Sequence, residues 1–291
     1  MNSPVMAAGK IAADTEPQPS KNLAFARLHA RLRAEKQAQA KSSTIWVWII
    51  RVVVAAILIG GWQLIVTAGW VNEAIVSSPR AVASYLITTV PTAELWLNLW
   101  STLKATLVGL IAGSVAGILF GIVLFESNTL RRGLLPFITF LNSLPRPALA
   151  PIFILWFGLG IGSKVAVSVS IVVFVLLLNT MAGLQGANAD HLFLSRSLGM
   201  TRLQRLLLIQ LPAAVPVVVA GLRLATVYSM LGVVVAELVA SEQGLGQLLI
   251  IATNSYNIAG AFGVLVILGL LAMALNSVVS LIERRFSWRT E

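Results

Sequence analysis

The chain has 291 residues, of which 57% are hydrophobic and only 11% are charged. A soluble domain carries about 25% charged residues, so this composition excludes an ordinary water-soluble protein. Only helices and closed barrels satisfy their own backbone in lipid, and the long unbroken apolar runs favour helices over the short alternating segments of a barrel. The chain has no cysteine and two histidines. This excludes disulfides and thiolate sites, and we expect no bound metal.

The first 44 residues precede any apolar run and are expected to form a cytoplasmic tail. Residues 1–20 are predicted to be disordered. From Ser20 to Lys41 the sequence is basic and helical in character, and Phe25, Leu28 and Leu32 fall on one predicted face. Two interpretations of this segment stay open: a solvated helix, or a helix that contacts the lipid surface or a partner.

Six apolar segments in residues 45–291 predict an all-α integral membrane domain with six spans. The third segment is interrupted by Pro136, Pro145, Pro147 and Pro151. The predicted spans are Ile45–Ala68, Leu103–Phe125, Leu134–Phe157, Val165–Gly183, Val217–Val239 and Ala259–Ile282.

The distribution of basic residues predicts the orientation of these spans. With both termini inside the cell, 15 of the 21 Lys and Arg residues lie on the cytoplasmic side, as the positive-inside rule requires. Arg80, Lys104 and Lys164 are then left outside. This placement accounts for the formal net charge of +10 without nucleic acid as a partner. We expect a multi-pass protein of the bacterial inner membrane, in contact with lipid.

Four glycines at intervals of four residues lie along one face of the second span: Gly109, Gly113, Gly117 and Gly121. Such a ridge lets another backbone approach closely. The approaching helix belongs either to the same subunit or to a boundary that moves or joins subunits.

The connector Ala187–Pro216 between spans four and five is predicted to be cytoplasmic, and it is long and patterned for a loop. Leu192–Leu198 can form a short helix that ends at Gly199. Thr201 can cap a second helix, Arg202–Leu211, before Pro212 and Pro216 bracket the fifth span. Leu203, Leu206 and Leu207 are predicted to share one face, which could dock in a groove of a cytoplasmic protein.

Gly199, nine residues and then Ile209-Gln210-Leu211-Pro212 resemble the G-x9-I-x-L-P signature of binding-protein-dependent ABC importer permeases. Further segments are similar to the nitrate, sulfonate and taurine branch: Ser77-Ser78-Pro79, Arg196-Ser197-Leu198-Gly199, Ala150-Pro151 through Gly160, Gly221-Leu222-Arg223, Ala236-Glu237 and Gly244-Leu245-Gly246.

The resemblance implies a type I importer fold, in which the connector is a coupling loop that lodges in a cleft of a separate ATPase. It also implies a permease dimer, expected here to be a homodimer, with two ATPase subunits and an extracytoplasmic substrate-binding protein. The residues expected to couple to the ATPase are Ser195, Arg196, Gly199, Arg202, Leu203, Gln204, Arg205, Leu206, Leu207, Ile209 and Pro212.

One departure from the family pattern lies at the start of this loop. The family has Glu-Ala-Ala six residues before the glycine, whereas this chain has Phe193, Leu194 and Ser195. The acidic residue is missing, and Asp190, one turn earlier, is only a partial substitute.

The sequence contains no phosphate-binding loop of the form G-x4-G-K-S/T, and no set of catalytic residues. We therefore expect no enzyme activity and no cofactor in this chain, with ATP and Mg²⁺ bound by the partner ATPase. The predicted function is import of a small anion, either a nitrate-, sulfonate- or taurine-like one or an organic carboxylate. The alternative is a stand-alone secondary transporter or channel.

Polar residues within the spans are the candidates for the substrate pathway: Asn142, Arg146, Tyr228, Ser229 and Glu237. A charge in the middle of a span is costly unless it is paired or faces water. Two interpretations of Arg146 stay open. It forms an ion pair with Glu237, or it provides positive potential for an anionic substrate.

Overall fold

The computed structural model describes residues 46–287, and every regular element in that range is helical. The predicted tail, residues 1–44, lies outside the described residues. By its contacts the chain divides into two units, Met1–Ile65 and Val66–Glu291. Of the first unit only residues 46–65 are described, and they belong to one helix, α1.

The second unit contains all the remaining helices and both candidate site regions. Two short non-α turns interrupt the α-helices, a 3-10 turn at Arg146–Leu149 and a π turn at Leu206–Gln210. The α-helices are α1 (Trp46–Thr67), α2 (Glu73–Val76), α3 (Pro79–Thr89), α4 (Ala93–Glu126), α5 (Asn128–Ser143), α6 (Ala150–Phe157), α7 (Ile161–Gln185), α8 (Ala189–Ser197), α9 (Arg202–Arg205), α10 (Leu211–Val239), α11 (Leu245–Asn254) and α12 (Ile258–Ser287).

Five helical segments of the described chain are long and apolar enough to cross a membrane, and α5 with α6 forms a sixth, broken segment bent by 82°. The bend follows from Pro145 and Pro147, because a residue before proline is driven out of the helical region. Leu144 is accordingly extended, with ψ of 137°. The prediction of six spans is confirmed when α5 and α6 are counted as one broken span.

Helix α7 packs against both α4 and α10. Their shared core contains Leu110 of α4, Val172 and Leu176 of α7, and Ala225 of α10.

The glycine ridge of α4 faces α7 within the same chain. A Cβ at Gly117 would lie 2.5 Å from the carbonyl oxygen of Val173, and one at Gly121 would lie 2.8 Å from Cβ of Thr180. The interpretation of this ridge as packing inside one subunit is therefore confirmed, and the missing side chains allow the two backbones to approach.

A second core joins α4, α10, α11 and α12. It contains Leu95, Met230, Leu245, Val264, Ile267 and Leu268. Helix α11 has only ten residues, about 15 Å at 1.5 Å per residue, too short to cross a bilayer. It packs against α12, α10 and α4.

We expect Gly117→Ala to destabilise the protein by about 1–3 kcal/mol, because overpacking at a close backbone contact has this typical cost. Thermal unfolding in detergent measures the change. Gly133→Ala in α5 is the matched control, since a Cβ there would meet nothing within 4 Å and should leave the melting temperature the same or slightly higher. Equal melting temperatures for the two variants would contradict the tight α4–α7 contact.

Candidate functional site: the coupling loop and the buried charges

The coupling loop begins with α8, which ends in the arrangement that the sequence predicts. Gly199 has φ of +69°, a left-handed conformation that glycine adopts without strain. Its N–H donates to the carbonyl of Arg196, and the N–H of Met200 donates to the carbonyl of Ser195. These two bonds form a Schellman motif, so the prediction that Gly199 terminates this helix is confirmed.

Thr201 caps the next helix, also as predicted. Its hydroxyl accepts from the N–H of Gln204, and the Gln204 side chain accepts from the N–H of Thr201, a reciprocal capping box. The predicted end of this helix at Leu211 is wrong. Helix α9, the π turn and α10 form one helical segment of 38 residues, Arg202–Val239. Pro212 lies within this segment, directly after the π turn, where the N–H of Leu211 donates to the carbonyl of Leu206.

The predicted shared face of three leucines is wrong for Leu206. Leu203 and Leu207 are exposed, 63% and 51%, whereas Leu206 is 6% exposed. It packs in a cluster with Leu184 of α7 and Ala214 of α10. Leu206 therefore anchors the loop to the ends of the spans, and the outward apolar face is formed by Leu203 and Leu207.

The rest of the predicted coupling residues are distributed around this anchor. Ser195 is buried and donates to the carbonyl of Leu192, so it supports α8 from inside. Phe193 and Leu194, at the positions of the missing Glu-Ala, are 73% and 56% exposed. Arg196, Gly199, Arg202, Gln204 and Pro212 are also exposed, whereas Arg205 and Ile209 are half-buried.

A cavity of about 340 Å³ lies beside the bend between α5 and α6. It brings together three of the five predicted pathway residues, Asn142, Arg146 and Tyr228, with Asn179 of α7. The other lining residues are Ile171, Val175, Leu178 and Leu224.

Arg146 is buried at the wall of this cavity, 8% exposed. Its guanidinium donates to Oδ1 of Asn142 at 2.7 Å and to the carbonyls of Ile171 and Leu141 at 3.3 and 3.4 Å. It also lies over the Phe174 ring, 4.0 Å from the centroid. None of these partners carries a negative charge, so the side chain is bonded and its charge is not neutralised.

The predicted Arg146–Glu237 ion pair is wrong, because Glu237 is paired with Lys164. Nζ of Lys164 lies 3.1 Å from Oε1 of Glu237, and the two side chains are 3% and 0% exposed. Lys164 also donates to Ser101 and to the carbonyl of Gln243. Its three N–H groups are thereby used. The predicted orientation leaves Lys164 outside the membrane. In the structure its side chain is buried, in the first turn of α7.

Two glycines make room for the Glu237 carboxylate. Gly244 has φ of +135°, and Cβ atoms at Gly244 and at Gly246 would both collide with the Glu237 side chain. The N–H of Gly246 donates to Oε2 of Glu237 at 2.9 Å, and Thr102 of α4 donates to the same carboxylate at 2.9 Å. The Gly-Leu-Gly segment thus wraps the acidic group.

Ser229, the remaining pathway candidate, is fully buried. Its hydroxyl donates to the carbonyl of Thr106 at 2.8 Å and lies 2.7 Å from the hydroxyl of Ser168. Ser229 and Glu237 therefore lie in the packed α4–α7–α10 layer, apart from the three residues that line the cavity.

Sequence reasoning missed Lys164 as the partner of Glu237, although a signal was present. In the predicted orientation the fourth span begins outside and the fifth span ends outside. Lys164 is at the start of the fourth span and Glu237 is near the end of the fifth. The two residues must then lie at the same membrane depth. Opposite charges at one depth predict a pair.

These features are those of a multi-pass membrane protein with a long, structured connector between two of its spans. Residues 109–291 match the family described as binding-protein-dependent transport system inner membrane component. The chain belongs to this family, and it is an ABC importer permease subunit of the type I fold located in the bacterial inner membrane. This membership rules out the alternative of a stand-alone secondary transporter or channel.

Individual relatives agree with this assignment. A probable ABC transporter permease protein of Haemophilus influenzae is 32% identical over 235 residues, covering 81% of this chain and 95% of the relative. The taurine transport system permease protein TauC of Escherichia coli is 26% identical over 196 residues, covering 66% of this chain and 71% of the relative. Among solved structures, an inward-facing MetNI methionine ABC transporter chain matches with a TM-score of 0.61 and 20% identity, covering 68% of this chain and 98% of that one.

We expect Lys164→Gln and Glu237→Gln each to destabilise the protein by about 3–5 kcal/mol, because each leaves a buried charge without its partner. The double variant should recover much of this loss, since two neutral amides can still hydrogen-bond. Melting temperatures of the four proteins give the coupling free energy. Strictly additive losses would contradict the ion pair.

Proposed function

We propose that this permease imports a small anion, that two copies form the translocation pathway, and that its transport is driven by a separate ATPase docked on the coupling loop. The anion is a sulfonate, taurine, nitrate or an organic carboxylate. The single observation that carries the anion assignment is Arg146, a cavity-wall cation whose hydrogen-bond partners are all neutral.

The depth of the cavity supports a transport role. Ile171 and Val175 lie near the middle of α7, and Leu224 and Tyr228 lie near the middle of α10. A charge at mid-membrane is costly unless something compensates it. The salt bridges of the described residues do not include Arg146, so a transient anionic substrate is the compensating group that we assign.

The exposure of the cavity wall supports a pathway between two copies. Asn142 and Tyr228 are both exposed on the single chain, although their depth would put them against lipid. Polar groups at that depth are tolerated where they face another protein surface or water. A second copy of this chain, seated over the cavity, would provide both.

The coupling loop supports the assignment of ATP and Mg²⁺ to a partner subunit. Leu203, Leu207, Phe193 and Leu194 present apolar side chains outward from a loop whose Leu206 is fixed in the core. Exposed apolar groups rimmed by charged residues are typical of a protein interaction site. Here the occupant that we assign is the ATPase subunit of the importer, with an extracytoplasmic binding protein delivering the substrate at the opposite face.

We expect Arg146→Gln to lower anion uptake about tenfold or more, since a lost charge-assisted hydrogen bond costs about 1.5–3 kcal/mol. Arg146→Lys, which retains the charge, should keep part of the activity. The measurement is ATP-driven uptake of taurine, butanesulfonate, nitrate and benzoate into proteoliposomes that contain permease, ATPase and binding protein, with choline as the cationic comparison.

Arg223→Gln is the matched control for this experiment. Arg223 is also an arginine of a spanning helix, but it bonds to Asn276 and Glu283 of α12, away from the cavity. Its replacement should change uptake less than Arg146→Gln does. The anion assignment would be contradicted if choline were taken up and none of the four anions were. It would also be contradicted if the native and Arg146→Gln proteins took up the anions equally.

We expect Leu203→Asp to abolish co-purification of the ATPase, because a charge would be buried where an apolar contact forms. Leu203→Met is the control, since it preserves volume and apolar character and should preserve assembly. Quantitative pull-down of the ATPase with the tagged permease measures both. Undiminished capture by Leu203→Asp would remove this loop from the ATPase interface.

A further inference from the structure

The Lys164–Glu237 pair lies at the far end of the helix that starts in the coupling loop. The segment Arg202–Val239 is one helix, and 35 residues separate Arg202 from Glu237, roughly 50 Å at 1.5 Å per residue. The loop end of this helix is anchored through Leu206. A displacement of the loop is therefore carried along one helical segment, which includes the π turn at Leu206–Gln210, to the carboxylate at the other end.

At that end, side chains of α4 and α10 hold the beginning of α11. Three successive N–H groups are satisfied in this way. That of Gly244 donates to Oδ1 of Asn98 at 2.6 Å, that of Leu245 to Thr102 Oγ1 at 2.9 Å, and that of Gly246 to Glu237. Helix α11 thus takes its N-terminal cap from its neighbours.

The charges make this attachment a stiff one. Glu237 and Lys164 are both buried, and separating them would leave two uncompensated charges in a medium of low dielectric, at a cost of several kcal/mol. The backbone at Gly244 and Gly246 lies close against the carboxylate, because a Cβ atom at either position would collide with Glu237. The end of α10, the start of α11 and the first turn of α7 must therefore move as one unit.

We propose that Lys164 and Glu237 are positioning residues for transport, which transmit the movement of α10 to α11. Helix α11 is then the moving element of the gate that closes the translocation pathway on the side opposite the coupling loop. The proposal rests on the proposed function, because the ATPase on the loop supplies the movement. Helix α11 suits the role since it is too short to span the membrane and packs on α12 through Leu245 in the second core.

The test uses two cysteine reporters in a chain that has no native cysteine. Ser255→Cys, the α11 reporter, lies at the exposed end of α11, and Ala189→Cys, the α8 reporter, lies at the exposed start of α8. Maleimide labelling rates are measured on the permease–ATPase complex without nucleotide and after trapping with ATP and vanadate. In the otherwise native chain we expect trapping to change both rates, by about fivefold or more.

In the Lys164→Gln/Glu237→Gln variant the response of the α11 reporter should fall to less than half, while that of the α8 reporter should persist. A role confined to stability predicts that both responses scale with the folded fraction. The matched control is Arg223→Gln/Glu283→Gln, which removes the other ion pair of α10, between side chains that are 51% and 32% exposed, and it should leave both responses intact.

A response of the α11 reporter that survives in the Lys164→Gln/Glu237→Gln variant would overturn the proposal. So would the absence of any response of the α11 reporter in the otherwise native chain while the α8 reporter responds. If neither reporter responds in that chain, the ATPase drive itself, and with it the proposed function, is contradicted.

A second variant applies if the double variant does not fold. Thr102→Val removes the hydrogen bonds of Thr102 with Glu237 and with Leu245 but keeps the ion pair. An undiminished response of the α11 reporter in that variant would equally overturn the proposal.

Discussion

A hydrocarbon solvent offers no partner to a charged group, and this constraint decides how each buried ion of the described residues is held. Glu237 and Lys164 neutralise one another and fill their remaining hydrogen bonds from Thr102, Ser101 and backbone. Arg146 is held differently, by an amide oxygen, two carbonyls and a ring, none of which cancels its charge. One constraint thus produces a closed, neutral cluster that joins helices and an open, positive site that faces a cavity.

Close packing between α4 and α7 gives these charges a fixed frame. Without Cβ atoms at Gly113 and Gly117, the side chain of Val172 and the backbone of α7 can approach α4 directly. Such contacts stabilise helices in lipid through van der Waals packing, where no hydrophobic driving force is available. Lys164 begins α7 and Thr102 belongs to α4, so the ion pair rests on the best-packed pair of helices, and α10 is the element placed against them.

Features that depend on neighbours in the sequence were predictable, and features that depend on a choice among distant partners were not. Gly199 and Thr201 end and begin helices through local bonds, and apolar runs give the spans by length alone. Periodicity does not distinguish Arg146 from Lys164 as the partner of Glu237, and only the membrane depth of the span ends favours Lys164, which is the partner in the structure. The prediction for Leu206 is wrong for a similar reason. Periodicity gives the apolar residues of a helix, whereas packing against Leu184 and Ala214 decides which of them face inward. The sequence predicts three of the residues that line the Arg146 cavity, Asn142, Arg146 and Tyr228, but not the cavity itself, which lies beside the 82° bend.

The length of one helix relates the three functional regions to each other. The segment that begins at Arg202 carries the outward leucines of the loop near its start, Tyr228 of the cavity past its middle, and Glu237 close to its end. A rigid displacement of that segment cannot change one of these regions alone. Movement imposed at the loop therefore alters the cavity wall and the seat of α11 in the same step. Under the proposed function, this arrangement lets a chain whose sequence has no phosphate-binding loop respond, at mid-membrane and beyond, to nucleotide bound by the ATPase partner.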